Sequence, residues 1–539
     1  MARFKILLFL IFIFVIALVF RLYHLSSVPY GFHSDEVFAG FEGSFILKNS
    51  IDTYGNFLPL YFDKFGDYRP IGAFLVSGFF NLLFGPSVFA TRAGIALFGS
   101  ATVFVIYKLF KKLYGDQNST PGALAAAFIA ALLPWHIVLS RSTQESVLGL
   151  FSMCLGLVFL LSYLKDNRRL NLFFTCVLFF SSYFFYTSHR ILVPVVLFGI
   201  LGENLIWRSG KNVRVLFSIF LAFFVLTLII LATPWGRGRG QQVLIFNNPQ
   251  VLTVGQNLSF GDGPNNVLTA RIFHNKVVVY TRQLVSAYFT YFSGEFLFMQ
   301  GGLPDRYKIP QQGLLYFSMA PFLILGFVET FRRRIFIPVF LLLTVPIVAV
   351  FTFDDVPNVN RVSSMIMPLT LLFGLGVGRA WEFKIKILKF LAFGVLSLVF
   401  LLEVIYFGHQ YLIHESQNKS FFRNDSYIQA AQYLSENYKN YDSVYASNVD
   451  DLLIYFWFWK AAYDKSLRYN AYERPQIYLY ENISFIRNDC LNDKLKESNK
   501  DGKVLLLNGG DCKGIEGFTK DKEWVRGDST KAFTAFYKR

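Results

Sequence analysis

The stretch Gly31-Phe32-His33-Ser34-Asp35-Glu36-Val37-Phe38-Ala39-Gly40 decides how this chain is read. It follows the apolar run of residues 1–20 by about a dozen residues, so an acidic pair stands where a first membrane span has just left the bilayer. Ser34 reads as a helix N-cap, with Asp35 and Glu36 in the first turn. Successive helical residues point about 100° apart, so the two carboxylates cannot face one target. One can serve a reaction while the other anchors the loop. Acids in a first turn also complement the helix dipole with no further role. The rest of the chain decides between these readings.

Of the 539 residues, 54% are hydrophobic and 63 are Phe. A soluble chain of this size carries more charge and fewer aromatics. Apolar runs near the span length recur at 4–22, 88–110, 121–139, 145–164, 170–187, 190–207, 213–233, 314–331, 335–352, 362–380 and 386–407. The expectation is therefore a polytopic α-helical membrane protein of about eleven transmembrane helices. Residues 1–20 are expected to stay as the first span, because no small-residue cleavage site follows them. The net charge of +16 does not point to nucleic acid, since much of it falls in short clusters between spans. Those clusters are Lys108, Lys111 and Lys112; Lys165, Arg168 and Arg169; Arg208, Lys211 and Arg214; Arg332, Arg333 and Arg334; Lys384 and Lys386. All share the side of Arg3 and Lys5 if residues 70–84 form a re-entrant or interfacial helix rather than a crossing.

That topology leaves 23–87, 234–313 and 408–539 outside. Loops this long are usually functional. The middle one holds an amphipathic stretch from Tyr280 to Met299, expected to lie at the interface. The domains expected are a transmembrane domain over 1–407 and a small extracytoplasmic α/β domain over 408–539. In the latter, Tyr427 to Tyr438 is helical in period, and Asp442–Ala446 and Lys503–Leu507 read as strands. Cys490 and Cys512 lie in that piece and can pair if it faces an oxidising compartment. No phosphate-binding P-loop, HExxH or CxxC motif occurs.

Polar residues gather at the outer ends of the spans: Pro134-Trp135-His136 to Ser140-Arg141 and Glu145, Tyr186-Thr187-Ser188-His189-Arg190, Pro234-Trp235-Gly236-Arg237-Gly238-Arg239, and Asp354-Asp355 to Arg361. The positive-inside rule depletes Arg on that side, so four outer loops with Arg call for a reason. Each alone has a bland one. Arg snorkels or binds headgroups, Arg141 and Glu145 can pair at i,i+4, and His136 and His189 can be satisfied interfacial residues. No spacing demands a metal, although His33, Asp35 and Glu36 could share a divalent ion. Together, a carboxylate and several arginines suit a phosphate-bearing substrate and a nucleophile that must lose a proton.

The chain resembles the GT-C glycosyltransferases of the protein O-mannosyltransferase-like type (glycosyltransferase family 39, whose superfamily includes aminoarabinose transferases). The matching pieces are Asp35-Glu36, residues 52–60, Gly66-Asp67-Tyr68-Arg69-Pro70, Leu83-Phe84-Gly85 leading to Ala90-Thr91-Arg92, and the 134–141 and 186–190 motifs. The likeness runs over roughly 1–407, and Arg69-Pro70-Ile71 stands where the family has a double proline. It implies a polyprenyl-phosphate sugar donor reaching the site from the outer leaflet of a plasma (inner) membrane, and Asp35 as base beside Glu36. The implied donor-phosphate ligands are Arg141, Arg190 and Arg361, with His189, Arg69 and Arg92 behind them. His136, Glu145 and Tyr186 are the substrate-contact candidates. The expectation is inverting transfer of a sugar to an acceptor hydroxyl or amine of a protein, lipid or glycan, without a cofactor. The rival readings are a lipid-linked glycan flippase or transporter, and a non-catalytic binder of such lipids. Flippases place ionisable residues near the bilayer midplane, whereas here they collect at one face.

The loop charges make a labelling prediction. Ser435→Cys should react with an impermeant maleimide from outside intact cells, and Asn167→Cys only after the membrane is opened. Equal labelling of both from outside would sink this topology.

Overall fold

The structure, a computed structural model, describes residues 2–115, 119–207, 212–236, 244–263, 266–384, 386–418, 420–468, 475–492 and 502–539. Arg208, Lys211, Arg237 and Arg239 lie outside the described residues. The chain divides into two compact units. The first comprises Met1–Phe20, Phe98–Leu139 and Glu145–Phe407; the second comprises Arg21–Leu97, Ser140–Gln144 and Gly408–Arg539.

The first unit is helical. Among the described residues of the whole chain, seven helices are long and apolar enough to cross a membrane, or nine if each of two bent pairs is one span. Helix α1 (Ala2–Leu22) turns Leu7, Phe9, Phe12, Val15 and Val19 outward. Such a surface is at home in lipid, and the chain is a multi-pass membrane protein. The count falls short of eleven for reasons of length. The run at 170–187 forms a helix of 17 residues, Arg169–Phe185. The runs at 314–331 and 335–352 form helices Ala320–Arg333 and Ile337–Val350, each of 14 residues. Fourteen residues rise about 21 Å, less than the ~30 Å hydrocarbon core. A bend of 119° separates this pair, at a break where Arg334 takes a left-handed φ of 55°. The other bent pair, Thr120–Leu132 and Pro134–Arg141, turns by 48°. Leu133 is extended there, the conformation a following proline imposes. Helix Pro134–Arg141 ends at Arg141 and a new helix starts at Glu145, so those two residues do not share the helical i,i+4 geometry. The amphipathic stretch is also broken: helix Lys276–Thr290 is followed by a separate wide turn, Glu295–Met299.

In the second unit the first long loop and the tail are built around one core. Helix α2 (Ser34–Asn49) and helix α3 (Gly72–Phe84) pack with backbones nearly touching. A Cβ on Gly43 would lie 1.8 Å from the Phe74 carbonyl oxygen, and one on Gly78 2.1 Å from the Gly43 carbonyl carbon. Only hydrogen fits at either position. Between them strands β1 (Tyr61–Lys64) and β2 (Asp67–Pro70) form an antiparallel hairpin. Its turn residues Phe65 and Gly66 both have positive φ, as a tight two-residue connection requires. The tail carries strands β3 (Ser443–Ser447), β4 (Ile477–Tyr480), β5 (Ile483–Ile486), β6 (Val504–Gly509), β7 (Thr519–Val525) and β8 (Lys531–Lys538). They form a six-stranded sheet in the order β4-β5-β3-β6-β8-β7. Strand β3 pairs in parallel with β5 and β6, and the other pairings are antiparallel. Helix Leu452–Trp459 lies with its Phe456 and Trp457 in a core shared by Phe38, Phe41 and Phe45 of α2 and Val444 and Leu505 of the sheet. Cys490 and Cys512 form a disulfide.

Two details depart from the local reading. The N-cap of α2 is His33 rather than Ser34: His33 is extended, and its Nδ1 accepts the Asp35 N–H at 3.0 Å. Glu42, on the core side of α2, is fully buried and accepts from Thr53 Oγ1 at 2.6 Å. Burial, reinforced by nearby Asp52, pushes its carboxyl up to about 8 against the hydrogen bonds from Thr53. A raised folded-state value means the folded chain binds this proton more tightly than the unfolded one. The stability it contributes is full below the unfolded carboxyl value near 4.5 and is lost as pH rises through about 8. Glu42→Gln should therefore gain on wild type by about 1.4 kcal/mol per pH unit across that window. Thermal unfolding in detergent from about pH 6 to 9 checks it; parallel curves for the two proteins would contradict it.

Candidate active site

The two adjacent acids of α2 have different surroundings, all of them within the second unit. Glu36 is 5% exposed. Arg92 Nε donates to its Oε1 at 2.9 Å and Arg92 Nη2 to its Oε2 at 2.8 Å, a bidentate pair. Thr143 Oγ1 donates to Oε1 at 3.0 Å, and Oε2 accepts the His33 N–H at 3.3 Å, closing a capping box. Arg92 also donates to the carbonyls of Leu25, Pro29 and Gly31, so all five N–H groups of its guanidinium have acceptors. Gly31, at φ +80°, leaves no room for a Cβ, which would meet the Arg423 carbonyl oxygen at 2.6 Å. Arg141 continues the pattern. Its Nη2 donates to the Tyr23 and Val28 carbonyls at 2.8 Å each, and its guanidinium lies 5.5 Å over the Tyr411 ring. Two buried arginines thus hold five carbonyls of the segment that leads into α2.

Asp35 looks elsewhere. Its side chain is 10% exposed and meets Lys64 Nζ at 2.6 Å and Arg69 Nη2 at 3.2 Å. In the hairpin register Phe62 faces Arg69 and Lys64 faces Asp67. Residues two apart on a strand share a face, so Lys64 and Arg69 project from the same side. Lys64 Nζ also donates to Ser34 Oγ, and Arg69 Nε to Asp67. The arrangement is a carboxylate at a helix N-terminus with two cations converging on it, partly open to solvent.

Lys64 and Thr143 were not singled out in the sequence. Lys64 had a signal in the Phe65-Gly66 pair that follows it, which reads as a hairpin turn after the aromatic Tyr61-Phe62. Thr143 had none, since its place depends on a left-handed φ of 52° at Thr143 itself, just past the end of the helix at Arg141.

The remaining candidates belong to the first unit. His189 is buried, with Nε2 2.9 Å from Ser364 Oγ and its ring against Tyr186. His136 is buried with Nδ1 3.3 Å from the Ala130 carbonyl oxygen. Arg190 is 3% exposed. Arg361 donates to Thr352 Oγ1, the Asp354 carbonyl and the Asp354 carboxylate at 2.6–2.7 Å. Glu145 opens helix Glu145–Asp166. Among the described residues no three His, Cys, Asp or Glu side chains are grouped to hold a metal ion.

Residues 68–235 match the family model described as dolichyl-phosphate-mannose-protein mannosyltransferase. No curated protein matches the chain. Among solved structures, ArnT from Cupriavidus metallidurans bound to undecaprenyl phosphate is similar with a TM-score of 0.54 at 12% identity, over 99% of this chain and 98% of that one. Its apo state gives 0.51 at 11% identity over the same shares. The oligosaccharyltransferase AglB from Archaeoglobus fulgidus, in complex with an inhibitory peptide and a dolichol-phosphate, gives 0.49 at 13% identity over 81% of this chain and 58% of that one. This chain thus spans less than two thirds of the AglB chain it matches.

The geometry separates the two acids by experiment. Removing one partner of a buried, hydrogen-bonded ion pair is costly, so Glu36→Gln should lower unfolding stability by about 3 kcal/mol or more. Asp35→Asn keeps the shape, an acceptor oxygen for Lys64 and Arg69 and some solvent contact, so it should lose clearly less than Glu36→Gln. Chemical unfolding of the two variants side by side checks the contrast, and equal losses would contradict it.

Proposed function

With the GT-C glycosyltransferase fold of this chain as the premise, we propose that it transfers a sugar from a polyprenyl-phosphate donor to an acceptor hydroxyl or amine. The observation that carries the reading is Asp35, a carboxylate at the N-terminus of α2 met by Lys64 and Arg69 from one hairpin face. Asp35 takes the proton of the acceptor as its oxygen or nitrogen attacks C1. The C1–O bond to the lipid phosphate breaks, and the configuration at C1 inverts. Both electrons of that bond leave with the phosphate, already a weak base, so charge stabilisation serves in place of a general acid. Lys64 and Arg69 supply it by shifting from Asp35 onto the phosphate oxygens, which leaves the carboxylate free for the acceptor proton.

Arg92 is assigned to holding the loop because its donors are spent on Glu36 and on backbone carbonyls, and Arg141 because its Nη2 donates to the Tyr23 and Val28 carbonyls. Arg190 and Arg361, expected as donor-phosphate ligands, and Tyr186, His136, His189 and Glu145, expected as substrate contacts, lie in the first unit and are given no part in this step. The reaction is placed on the outer face of a plasma membrane. The loop charges support that side, as does the Cys490–Cys512 disulfide, a bond kept in oxidising compartments.

Purified protein in liposomes, given labelled undecaprenyl- and dolichyl-phosphate sugars with cell-envelope extract as acceptor, tests the proposal with and without EDTA. Loss of sugar from one lipid and its recovery in the acceptor is the expected result. Donor movement across the bilayer without sugar loss would favour the flippase, and binding alone the non-catalytic reading. Asp35→Asn should lose turnover by roughly a hundredfold or more while keeping donor binding. Lys64→Ala should weaken donor binding about tenfold or more, the value of a charge-assisted bond. Normal transfer by folded Asp35→Asn would rule out this assignment of the base.

A further inference from the structure

We propose that His33 is a positioning residue whose protonation state gates Asp35; the proposal rests on Asp35 being the base. Helix N-caps are ordinarily Ser, Thr, Asp or Asn, which accept whatever the pH near neutrality. Here the cap is an imidazole, and its Nδ1 accepts the Asp35 N–H at 3.0 Å. That bond needs a bare Nδ1, hence a neutral ring with its proton on Nε2. The same Nδ1 lies 3.5 Å from Asp35 Oδ2. One nitrogen therefore has two incompatible partners, a backbone donor and a carboxylate acceptor, and a proton selects between them.

Charged groups of the site surround the ring. Asp35 and Glu36 lie on the helix that His33 caps, with Glu36 Oε2 accepting the His33 N–H and Arg92 behind it. Lys64 bridges Ser34 Oγ and Asp35 Oδ1, and Arg69 reaches Asp35 Oδ2. From the tail, Asn424 Oδ1 accepts the Ser34 N–H. The His33 side chain is 19% exposed, so a solvent proton can reach it. Once protonated, Nδ1 releases the backbone amide and turns its new N–H onto Oδ2. Asp35 then has three cations instead of two, and the first turn of α2 loses its cap. The oxygen that would take the acceptor proton is occupied. Neutral His33 holds the acid in place and leaves that oxygen to Arg69 and the substrate.

The consequence is an acidic limb of the rate profile that belongs to His33 and not to Asp35. With the labelled polyprenyl-phosphate sugar that liposomes of wild type consume, turnover should fall about tenfold per pH unit along that acidic limb. His33→Asn caps without titrating, so one pH unit down the limb it should keep roughly tenfold more of its rate at pH 8 than wild type does. His33→Ser repeats the comparison if the Asn variant does not fold. A wild-type acidic limb in either folded variant overturns the proposal. A second readout needs no turnover: the 15N spectrum of histidine-labelled full-length protein, with the His33 signals identified by their loss in the variant. At pH 8 it should show Nδ1 bare and Nε2 protonated, and a proton on Nδ1 there also overturns the proposal. Failure of the base assignment has its own mark, full turnover by Asp35→Asn, whatever tautomer His33 adopts; the gate then falls with the base.

Discussion

The buried ion pair between Glu36 and Arg92 is what the rest of the second unit depends on. Both side chains are withdrawn from water, so each would be costly without the other. Geometry makes the pair complete: two parallel N–H bonds on one carboxylate, with the remaining guanidinium donors on three backbone carbonyls. Those carbonyls belong to an irregular segment that has no ladder of its own to satisfy them. The ion pair and the loop therefore specify one another, and the start of α2 is fixed by both.

A fixed α2 start is useful only because its neighbour faces away. Adjacent helical positions diverge by about 100°, so a buried Glu36 leaves Asp35 at the edge of the packing. The hairpin then brings Lys64 and Arg69 to that edge from a single face. The division is physical. One acid is dry and saturated with donors; the other keeps some contact with solvent and is met by Lys64 and Arg69. Asp35 is held in register by the packing of its neighbour Glu36.

The first unit shows the same economy in a membrane setting. Polar groups cluster where helices break, at Pro134 and near His189, and each break carries its own hydrogen bonds. Trp135 Nε1 donates to the Val359 carbonyl, His189 meets Ser364, and Arg361 closes on Asp354 and Thr352. In hydrocarbon an unmet backbone or side-chain group is expensive, so a break must be satisfied by protein. Short helices separated by a sharp bend replace two of the spans that hydropathy suggested, since a run of apolar residues reports burial or lipid but not how far a helix continues.

By itself the sequence determined the class of the molecule. Apolar runs at span length, aromatic content and basic loop clusters follow from the cost of placing charge in hydrocarbon, and they require no knowledge of contacts. The acidic pair, the helix after it, and the strands at 443–447 and 504–509 were legible because local period and turn chemistry fix them. Which of two adjacent acids is spent on structure was not legible, for it depends on Arg92, 56 residues along, and Thr143, 107 along, arriving at one carboxylate. Nor could Ser34 and His33 be told apart as caps. Propensity favours the serine, but the serine's Oγ accepts from Lys64, 30 residues away, and the histidine ring is left to close the turn. Lys64, Cys490–Cys512 and the roles of Arg92 and Arg141 belong to the same class. Local pattern sets the elements because it acts through neighbouring dihedrals; partners are set only when distant segments are packed to contact, where a charge finds its counter-charge or stays in water.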